Sequence, residues 1–445
     1  MADIKSEDLR HRWHPYSSVA DLEEAGPLVI EGASGVRVTD SDGKTYIDGH
    51  AGLWLVNVGY GRASIAEAAY KQMQRLAWFP SFGRHSNGPA IELSNRLAGL
   101  LEPEGMTHFF YSDSGSEANE SALKIVRQYW KARGQAQRTK FISLENAYHG
   151  VTIGALSVAG MTVNRRAFEP LLGGVRHAVS PNWYRMGLTP ENCRKAAVSD
   201  IERIIAFEGA DTIAAFIAEP VQGAGGVVIP PEGYLQDVAK LLRRNDILFI
   251  ADEVITGFGR TGSWFGSRHF GVKPDIMTFA KGITSGYLPL GATAVTDRVY
   301  EAFRGGAEFR HGNTYSGHPT VAAVAMENLR IVEEEDLPGR AAKAGAHLLQ
   351  RLRGLEGHPS VGNVNGVGLL GRCELVADKG SREPIPAAVM VQVMKRILEA
   401  GVILRASGNV ITFSPPLIIE DEDLDRIVDA VEEALTEVAD RALAV

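Results

Sequence analysis

Residues 247–253, which read ILFIADE, decide how this chain is expected to fold. Five consecutive apolar residues end abruptly at Asp252 and Glu253. An apolar run of this length, stopped by polar residues, is typical of a strand that is buried on both faces of a sheet. The stretch therefore predicts a central strand with two carboxylates at its carboxyl end.

The same pattern recurs on both sides of this stretch. Residues 213–218 (IAAFIA), 140–144 (KFISL) and 108–111 (HFFY) precede it, and residues 275–280 (DIMTFA) follow it. Helix-length amphipathic segments such as residues 117–132 separate the runs. This alternation predicts an α/β fold, in which a mostly parallel central sheet is covered by helices on both faces.

Polar residues follow each apolar run. Glu219 and Pro220 come after the run at 213–218, and Lys281 and Gly282 come after the run at 275–280. In open α/β sheets, ligands bind outside the carboxyl ends of the strands. We therefore expect these residues and Asp252 to lie at one edge of the sheet.

Lys281 and Asp252 carry the chemistry that such an edge can perform. A lysine partly desolvated there has a lowered pKa and can condense with a carbonyl. An aspartate there can hold a proton on a pyridine nitrogen, which makes the ring an electron sink. Taken alone, Lys281 also fits a surface lysine, and Asp252 also fits a helix cap or a structural salt bridge.

Residues 114–120 (SGSEANE) lie between the strand signal at 108–111 and an amphipathic helix. Glycine lets a ligand approach the backbone closely, and the free N–H groups at a helix start favour an anion such as phosphate. A plain helix cap at Ser114 or Ser116 explains the segment equally well.

The pattern changes near residue 320. Long amphipathic segments at 321–334 and 339–355 precede alternating strand-like segments near 361–375 and 402–413. Residues 1–60 contain two strand signals around the turn at 41–44. We expect a large domain at residues 61–320 and a smaller α+β domain at 321–445, which the N-terminal segment 1–60 joins.

Composition excludes several classes of function. The 46 lysines and arginines against 54 aspartates and glutamates give a net charge of −8, which has the wrong sign for nucleic-acid binding. Cys193 and Cys373 stand in no metal-ligand spacing, so neither a disulfide framework nor a metal site is expected. The charged residues 1–8 and the absence of a long apolar run argue against a secretory signal or a membrane span, so a cytoplasmic location is expected.

Two glycine strings of the form GxGxxG occur, at residues 257–262 and 366–371. Either could indicate dinucleotide binding, which makes an NAD(P)-dependent oxidoreductase the alternative from another class of function. The first string is followed by a poor helix start, and the second lacks a clear strand–helix unit. Both are therefore interpreted as something other than a dinucleotide site.

Together these segments resemble the class III pyridoxal-phosphate-dependent aminotransferases, and are most similar to the ω-amino acid:pyruvate and amine:pyruvate transaminases. The resemblance runs over nearly the whole chain. Its specific pieces are the segments 114–120 (SGSEANE), 148–150 (YHG), 219–223 (EPVQG), 252–262 (DEVITGFGRTG), 281–282 (KG) and 312–315 (GNTY).

The resemblance implies PLP fold type I, the aspartate aminotransferase architecture, assembled as a homodimer with shared active sites. Pairing of dimers into a tetramer stays open. Lys281 would hold pyridoxal 5'-phosphate as a Schiff base, and Asp252 would pair with the pyridine nitrogen. Tyr148 and Val254 would pack against the two faces of the ring. Gly115 and Ser116 would bind the phosphate, together with Thr314 from the neighbouring subunit. Glu219 would support the site from behind the cofactor.

The same resemblance implies a substrate site for an amine donor and a keto-acid acceptor. Arg405 resembles the mobile arginine that grips a substrate carboxylate, and Trp54 resembles a pocket-lining tryptophan. Phe82 is a further candidate wall residue. Ala224 occupies the position of a glutamate that pairs with arginine in relatives acting on ornithine or GABA.

We therefore expect transfer of an amino group from an ω-amino acid or primary amine to pyruvate, with pyridoxamine phosphate formed in between. An aminomutase or a decarboxylase on the same fold remains an alternative.

Overall fold

The computed structural model describes residues 4–439. The strands within that range form three sheets. In chain order the strands are β1 Ile30–Ser34, β2 Arg37–Asp40, β3 Thr45–Asp48, β4 Met106–Ser112, β5 Lys140–Leu144, β6 Val175–Ala178, β7 Ile213–Ala218, β8 Leu248–Asp252, β9 Ile276–Phe279, β10 Gly291–Thr296, β11 Val361–Val367, β12 Leu370–Asp378, β13 Glu383–Pro384, β14 Val402–Ile403, β15 Arg405–Ser407 and β16 Val410–Phe413.

The helices fill the segments between these strands. They are α1 Ile4–His11, α2 Val19–Ala25, α3 Ala51–Trp54, α4 Ala63–Leu76, α5 Gly88–Leu100, α6 Gly115–Ala132, α7 Ile153–Val158, α8 Thr162–Arg165, α9 Trp183–Met186, α10 Pro190–Glu208, α11 Tyr234–Arg244, α12 Gly266–His269, α13 Asp297–Glu301, α14 Pro319–Glu334, α15 Leu337–Gly354, α16 Ala387–Glu399 and α17 Asp421–Ala434. Residues 281–283 form a short 3₁₀ turn directly after β9.

The central sheet has the strand order β4-β10-β9-β8-β7-β5-β6 among the described residues. The strands from β9 to β6 are parallel, and β10 runs antiparallel to both of its neighbours. Each apolar run identified in the sequence lies in one of these strands, which confirms the mostly parallel α/β architecture. The added antiparallel strand β10 inserts between β4 and β9, so β4 runs in the same direction as β8.

Strand β7 explains why these runs are apolar throughout. All six of its residues are buried, and successive side chains point to opposite faces of the sheet. Phe216 packs with the core on one face, together with α5, α10 and α11. Ile217 packs on the other face with residues of α6 such as Val126. Because both faces are covered, the sequence does not alternate between apolar and polar residues.

The N-terminal strands pair with a strand from the far end of the chain. The antiparallel hairpin of β2 and β3 turns at residues 41–44, as the sequence indicates. Strand β14 pairs parallel with β3, where Val402 faces Ile47. Val36 and Ile47 share a core with residues of α15, α16 and α17. The limits of the two domains remain a prediction.

The remaining sheet has the order β11-β12-β16-β15, with β13 paired to β12. Helices α14 and α15 each start two residues before the predicted segments. Their starts are set by caps, since His318 accepts from Thr320 N and Asp336 accepts from Gly339 N. The predicted strand-like stretch 402–413 divides into the short strands β14, β15 and β16.

Neither glycine string forms a strand–turn–helix unit. Residues 257–262 make a series of turns before the four-residue helix α12. Residues 366–371 form the hairpin between β11 and β12, in which Val367 pairs with Leu370. A dinucleotide fingerprint needs a helix N-terminus directly after a strand, so both strings fail the structural requirement.

No helix between residues 4 and 439 combines the length and the apolar character needed to cross a bilayer.

Candidate active site

A cavity of about 390 Å³ opens at the carboxyl edge of the central sheet. Such a volume lies in the range of small-molecule sites. Most of the residues predicted for the site line it, namely Trp54, Gly115, Ser116, Tyr148, Glu219, Asp252, Val254, Lys281 and Arg405. The edge collects these side chains because parallel strands β8 and β9 end side by side.

Lys281 follows β9 and has a left-handed backbone, with a φ of 50°. That conformation costs a residue other than glycine about 1–3 kcal/mol and is most often kept at functional sites. Burial lowers the pKa of the Lys281 amine to about 8, while the carboxylates of Asp252 and Glu219 act in the opposite direction. The side chain is therefore an amine that loses its proton near pH 8, well below the usual range of lysine.

Asp252 ends β8 and is only 3% exposed. Its Oδ2 accepts hydrogen bonds from Asn119 Nδ2 and His149 Nδ1, both at 2.8 Å. Its Oδ1 accepts from the backbone N–H of Val254 at 3.1 Å. An ionised carboxylate offers about four acceptor positions, so Oδ1 keeps one for a donor in the cavity.

Asn119 is itself fixed by its neighbours. Its Nδ2 also donates to the carbonyl of His149 at 2.7 Å, and its Oδ1 accepts from Thr278 Oγ1 at 2.8 Å. Thr278 lies in β9, next to the strand that carries Asp252. The carboxylate is thus held in one orientation by hydrogen bonds from α6, β9 and the segment after β5.

Glu219 follows β7 and is buried beside Asp252. Its carboxylate accepts from the backbone N–H groups of Tyr148 and Gly223, each at 2.9 Å. Burial raises the pKa of Glu219 to about 7, with Asp252 adding to the rise and His149 opposing it. Through these hydrogen bonds, Glu219 links the segment that contains Tyr148 to the carboxyl end of β7.

The start of α6 forms an anion site in the cavity wall. Ser114 caps this 18-residue helix by accepting from Glu117 N, which leaves the first N–H groups, those of Gly115 and Ser116, without an intrahelical partner. A Cβ on Gly115 would lie 3.1 Å from both Cγ atoms of Val254. A side chain at this position would therefore crowd Val254, and the helix dipole favours a negative charge.

Tyr148 and Arg405 complete the predicted residues that line the cavity. Burial raises the pKa of the Tyr148 hydroxyl, and a hydrogen bond with Tyr16 raises it further. Arg405 lies in β15, and it forms no ion pair with any residue between 4 and 439. Ser407 Oγ donates to the carbonyl of Ala224 at 2.6 Å, which joins the Arg405 strand to the cavity segment that contains Ala224.

Two predicted residues lie outside the cavity of this chain. Phe82 is 49% exposed, and its ring packs so close to Gly312 that a Cβ there would be 3.1 Å away. Thr314 is exposed in the same region. Both residues therefore sit together on the surface, and their roles remain predictions.

The structure adds cavity residues that sequence reasoning missed. Asn119 and His149 lie inside recognised motifs, but their bonds to Asp252 span 133 and 103 positions. Tyr16, Met161 and Val163 line the cavity from segments that carry no motif. A polar residue inside a recognised motif, such as Asn119, was the one feature of the sequence that could have indicated these additional cavity residues.

Pyridoxal phosphate fits this set of donors and acceptors. Lys281 supplies the amine that would hold its aldehyde carbon, and Asp252 has an acceptor position for the ring nitrogen. Gly115 and Ser116 present N–H groups where a phosphate would bind, and both residues line the cavity.

The lowered pKa of Lys281 predicts how the apoprotein captures the cofactor. The neutral amine is the nucleophile, so the rate of reaction with pyridoxal phosphate should rise with pH and level off above about pH 8. A lysine in a short model peptide should keep gaining reactivity toward pH 10, because its pKa is about 10.4. Borohydride trapping at each pH measures Lys281, after peptide mapping, and the model peptide, and a Lys281 profile that tracks the peptide contradicts the prediction.

Comparison with known proteins gives consistent matches over nearly the whole chain. Residues 19–435 match the family described as Aminotransferase class-III. The chain is 41% identical over 438 residues to the putrescine–pyruvate aminotransferase of Pseudomonas aeruginosa, covering 98% of this chain and 96% of that protein.

Solved structures agree closely in fold. A thermostable (S)-enantioselective ω-transaminase from Thermomicrobium roseum has 46% identity and a TM-score of 0.96, with 98% of both chains covered. An amine transaminase from an uncultivated Pseudomonas species, solved in its PLP-bound form, has 43% identity and a TM-score of 0.94, covering 96% of this chain and 99% of that chain.

Proposed function

This chain belongs to the class III aminotransferases, and we propose that it transfers an amino group from a primary amine or ω-amino acid to pyruvate. The observation that carries the proposal is one cavity that is lined by Lys281, Asp252 and Arg405, whose guanidinium forms no ion pair within residues 4–439. The similarity to a putrescine–pyruvate aminotransferase and to an (S)-enantioselective ω-transaminase supports this choice of donor and acceptor.

When bound, pyridoxal phosphate supplies an aldehyde that condenses with amines and a ring that delocalises the electron pair left on the substrate carbon. Lys281 is proposed to hold the cofactor covalently and, once displaced by the incoming amine, to remove the proton from the substrate carbon next to nitrogen. Its lowered pKa suits this task, because a neutral amine is needed to accept the proton near physiological pH.

Asp252 is proposed to hold a proton at the pyridine nitrogen. The hydrogen bonds from Asn119, His149 and the N–H of Val254 fix the orientation of the carboxylate, and Oδ1 keeps an acceptor position for that nitrogen. Glu219 supports the arrangement indirectly, since it fixes the backbone of Tyr148 and Gly223. Gly115 and Ser116 are proposed to bind the phosphate through their N–H groups.

Arg405 is proposed to bind the carboxylate of the keto acid. A guanidinium matches a carboxylate with two parallel hydrogen bonds. Ala224 lies in the cavity wall where a glutamate would compete for that guanidinium, and it offers no charge. The apolar side chains of Leu53, Trp54 and Ile255 suit the carbon skeleton of an amine donor.

We further propose a homodimer in which each cavity borrows residues from the second subunit. Large apolar side chains are exposed near Phe82 and Thr314, namely Trp78, Phe79 and Tyr315, and the rings of Trp78 and Tyr315 meet edge to face with centroids 6.3 Å apart. A patch of this kind marks an interaction surface. Phe82 and Thr314 lie beside these side chains, which suits the predicted reach of Thr314 into a neighbouring cavity. Sedimentation equilibrium that yields the mass of one chain, 48.1 kDa, would contradict the proposal.

A cytoplasmic location is part of the proposal. Cys193 and Cys373 are both buried and unpaired, as suits a reducing compartment. Fractionation of the native host, with the protein found outside the cytoplasm, contradicts this assignment.

The two half-reactions test the proposed activity. Purified protein with pyridoxal phosphate should absorb visible light, bleach when putrescine, β-alanine or 1-phenylethylamine is added, and recover its colour with pyruvate. One alanine should form for each amine consumed. An aminomutase or decarboxylase forms no alanine in proportion to amine, so its product pattern contradicts the proposal.

Arg405→Ala is expected to separate the two half-reactions. Losing a charge-assisted pair with a carboxylate costs about 1.5–3 kcal/mol, which corresponds to a rise of about ten- to hundredfold in KM for pyruvate. The rate with 1-phenylethylamine, which has no carboxylate, should change by less than about threefold. Single-turnover absorbance measures each half-reaction separately.

Two further variants control this experiment. Arg405→Lys keeps the charge without the planar fork and should give an intermediate KM for pyruvate. Arg353→Ala removes an exposed arginine of α15 and should change neither half-reaction. Equal losses in both half-reactions of Arg405→Ala would assign Arg405 a structural role.

A further inference from the structure

Trp54 stands in the cavity wall with a strained backbone. Its φ is 65°, in a region that bulky residues rarely adopt, and Gly52 just before it has a φ of 64°. The side chain is 4% exposed, and the edge of its ring packs against Gly223, where a Cβ would lie 3.0 Å from Cζ3. Contacts around the indole must therefore hold it in place.

The indole N–H of Trp54 is hydrogen-bonded to His50. Trp54 Nε1 donates to His50 Nε2 at 2.6 Å, and the two rings meet edge to face with centroids 4.7 Å apart. His50 is 2% exposed and lies behind Trp54, outside the cavity lining. An indole nitrogen can only donate, so His50 Nε2 accepts and the ring carries its proton on Nδ1.

The other nitrogen of His50 faces the C-terminal sheet. His50 Nδ1 lies 3.1 Å from Ser414 Oγ and donates to it, and the backbone N–H of Ser414 donates to the carbonyl of Gly49 at 2.9 Å. Ser414 directly follows β16, and β16 pairs with β15, which carries Arg405. A continuous set of hydrogen bonds thus joins the arginine strand to the tryptophan.

The imidazole is kept in the accepting form by its surroundings. Burial lowers the pKa of His50 well below its usual range, and the positive charges of Arg405, Arg260 and Lys281 lower it further. A protonated ring would turn Nε2 into a donor facing the indole N–H, so the neutral ring is the one that suits the observed contact.

We propose that His50 is a positioning residue that sets the orientation of Trp54, and through it the choice among amine donors, by accepting the indole N–H while Ser414 fixes the imidazole. This inference rests on the proposed function, because it assigns a donor-selecting role to the wall of the same cavity. His50 itself touches neither donor nor cofactor. It acts only through the indole.

Three variants isolate the contact. His50→Leu removes the acceptor at similar volume, and His50→Gln keeps an oxygen that can accept the indole N–H. Ser414→Ala keeps His50 but removes the partner of Nδ1. If His50→Leu does not fold, the other two variants still decide the proposal.

The first readout is the indole itself and requires no catalysis. The chain has six tryptophans, so ¹⁵N-indole-labelled protein gives few Nε1–H signals, and Trp54→Phe identifies the one from Trp54. That signal should move upfield in His50→Leu, because the short hydrogen bond is lost. It should move little in His50→Gln. An unchanged Trp54 signal in His50→Leu overturns the proposal.

The second readout is donor selectivity in the holoenzyme. In His50→Leu, the ratio of kcat/KM for 1-phenylethylamine to kcat/KM for β-alanine should fall about tenfold, mainly through a higher KM for 1-phenylethylamine. The reason is that an indole without its hydrogen bond no longer holds the shape of the wall that a bulky donor contacts. His50→Gln should stay within about twofold of the native ratio, and Ser414→Ala should fall between them. Equal losses for both donors, or no rescue by glutamine, overturn the proposal.

A matched control variant and the formation of alanine keep the outcomes separate. His269 meets Phe270 edge to face at 4.8 Å, far from the cavity lining, so His269→Leu should leave the donor ratio unchanged. If the native protein forms no alanine from any donor while the Trp54 signal still shifts in His50→Leu, the proposed function fails and the contact stands. If alanine forms normally and the donor ratio does not respond, only the role of His50 fails.

Discussion

Lys281→Ala is expected to lower the rate of transamination by about 10⁴-fold or more. The variant loses both the covalent attachment of the cofactor and the base that removes the substrate proton. The remaining cavity keeps Asp252, the start of α6 and Arg405, so pyridoxal phosphate should still bind without a covalent bond. Single-turnover absorbance with 1-phenylethylamine measures the proton-removal step directly.

Small amines provide a positive test of this role. Methylamine added to Lys281→Ala should restore part of the rate, in proportion to the concentration of its neutral form, because the neutral amine can take the proton in place of the side chain. Lys273→Ala serves as the matched control, since it removes an exposed lysine just before β9 and should keep the native rate. A Lys281→Ala variant with a near-native rate contradicts the assignment of Lys281.

Asp252→Asn is expected to lower the same rate by about 10³-fold. An amide cannot hold a proton at the pyridine nitrogen as a carboxylate does, so the ring would accept electrons poorly. The substitution also disturbs the hydrogen bonds, because the carboxylate accepts from Asn119 and His149 on one oxygen and from the N–H of Val254 on the other. One of those donors would then face the amide NH₂.

Asp275→Asn is the matched control for this variant. Asp275 lies at the opposite end of β9, where its carboxylate accepts from Phe249 N and pairs with Arg298. Its substitution should change thermal stability but keep the rate within about twofold. Thermal denaturation of both variants separates misfolding from lost chemistry. If Asp252→Asn and Asp275→Asn slow the reaction equally, a specific role of Asp252 in electron withdrawal is refuted.

The strands and the positions of the main residues were predictable because they depend on local patterns. A strand covered on both faces must be apolar along its length, so the runs ending at Ala218, Ala251 and Ala280 indicated the sheet. Asp252 and Lys281 directly follow two such runs, and the carboxyl ends of parallel strands meet at one edge. The structure brings both side chains into one cavity for that reason.

The partners of these residues could not be predicted in this way. Asn119 lies on α6, and its reach to Asp252 depends on how that helix packs across the sheet. Tyr16 and Met161 enter the cavity from segments without a recognisable pattern. Phe82 and Thr314 lie outside the cavity of this chain, so a role of Thr314 in the cavity of a neighbouring subunit and a role of Phe82 in the pocket wall both stay predictions.

The amino-acid sequence by itself determined the α/β architecture and the strand ends that bear Lys281 and Asp252, since burial and strand period act over a few neighbouring residues. Only the tertiary structure decided the carboxylate network around Asp252, the lowered pKa of Lys281 and the bond between His50 and Trp54. These features arise where layers from distant parts of the chain exclude water and align donors with acceptors, and no local pattern records that alignment.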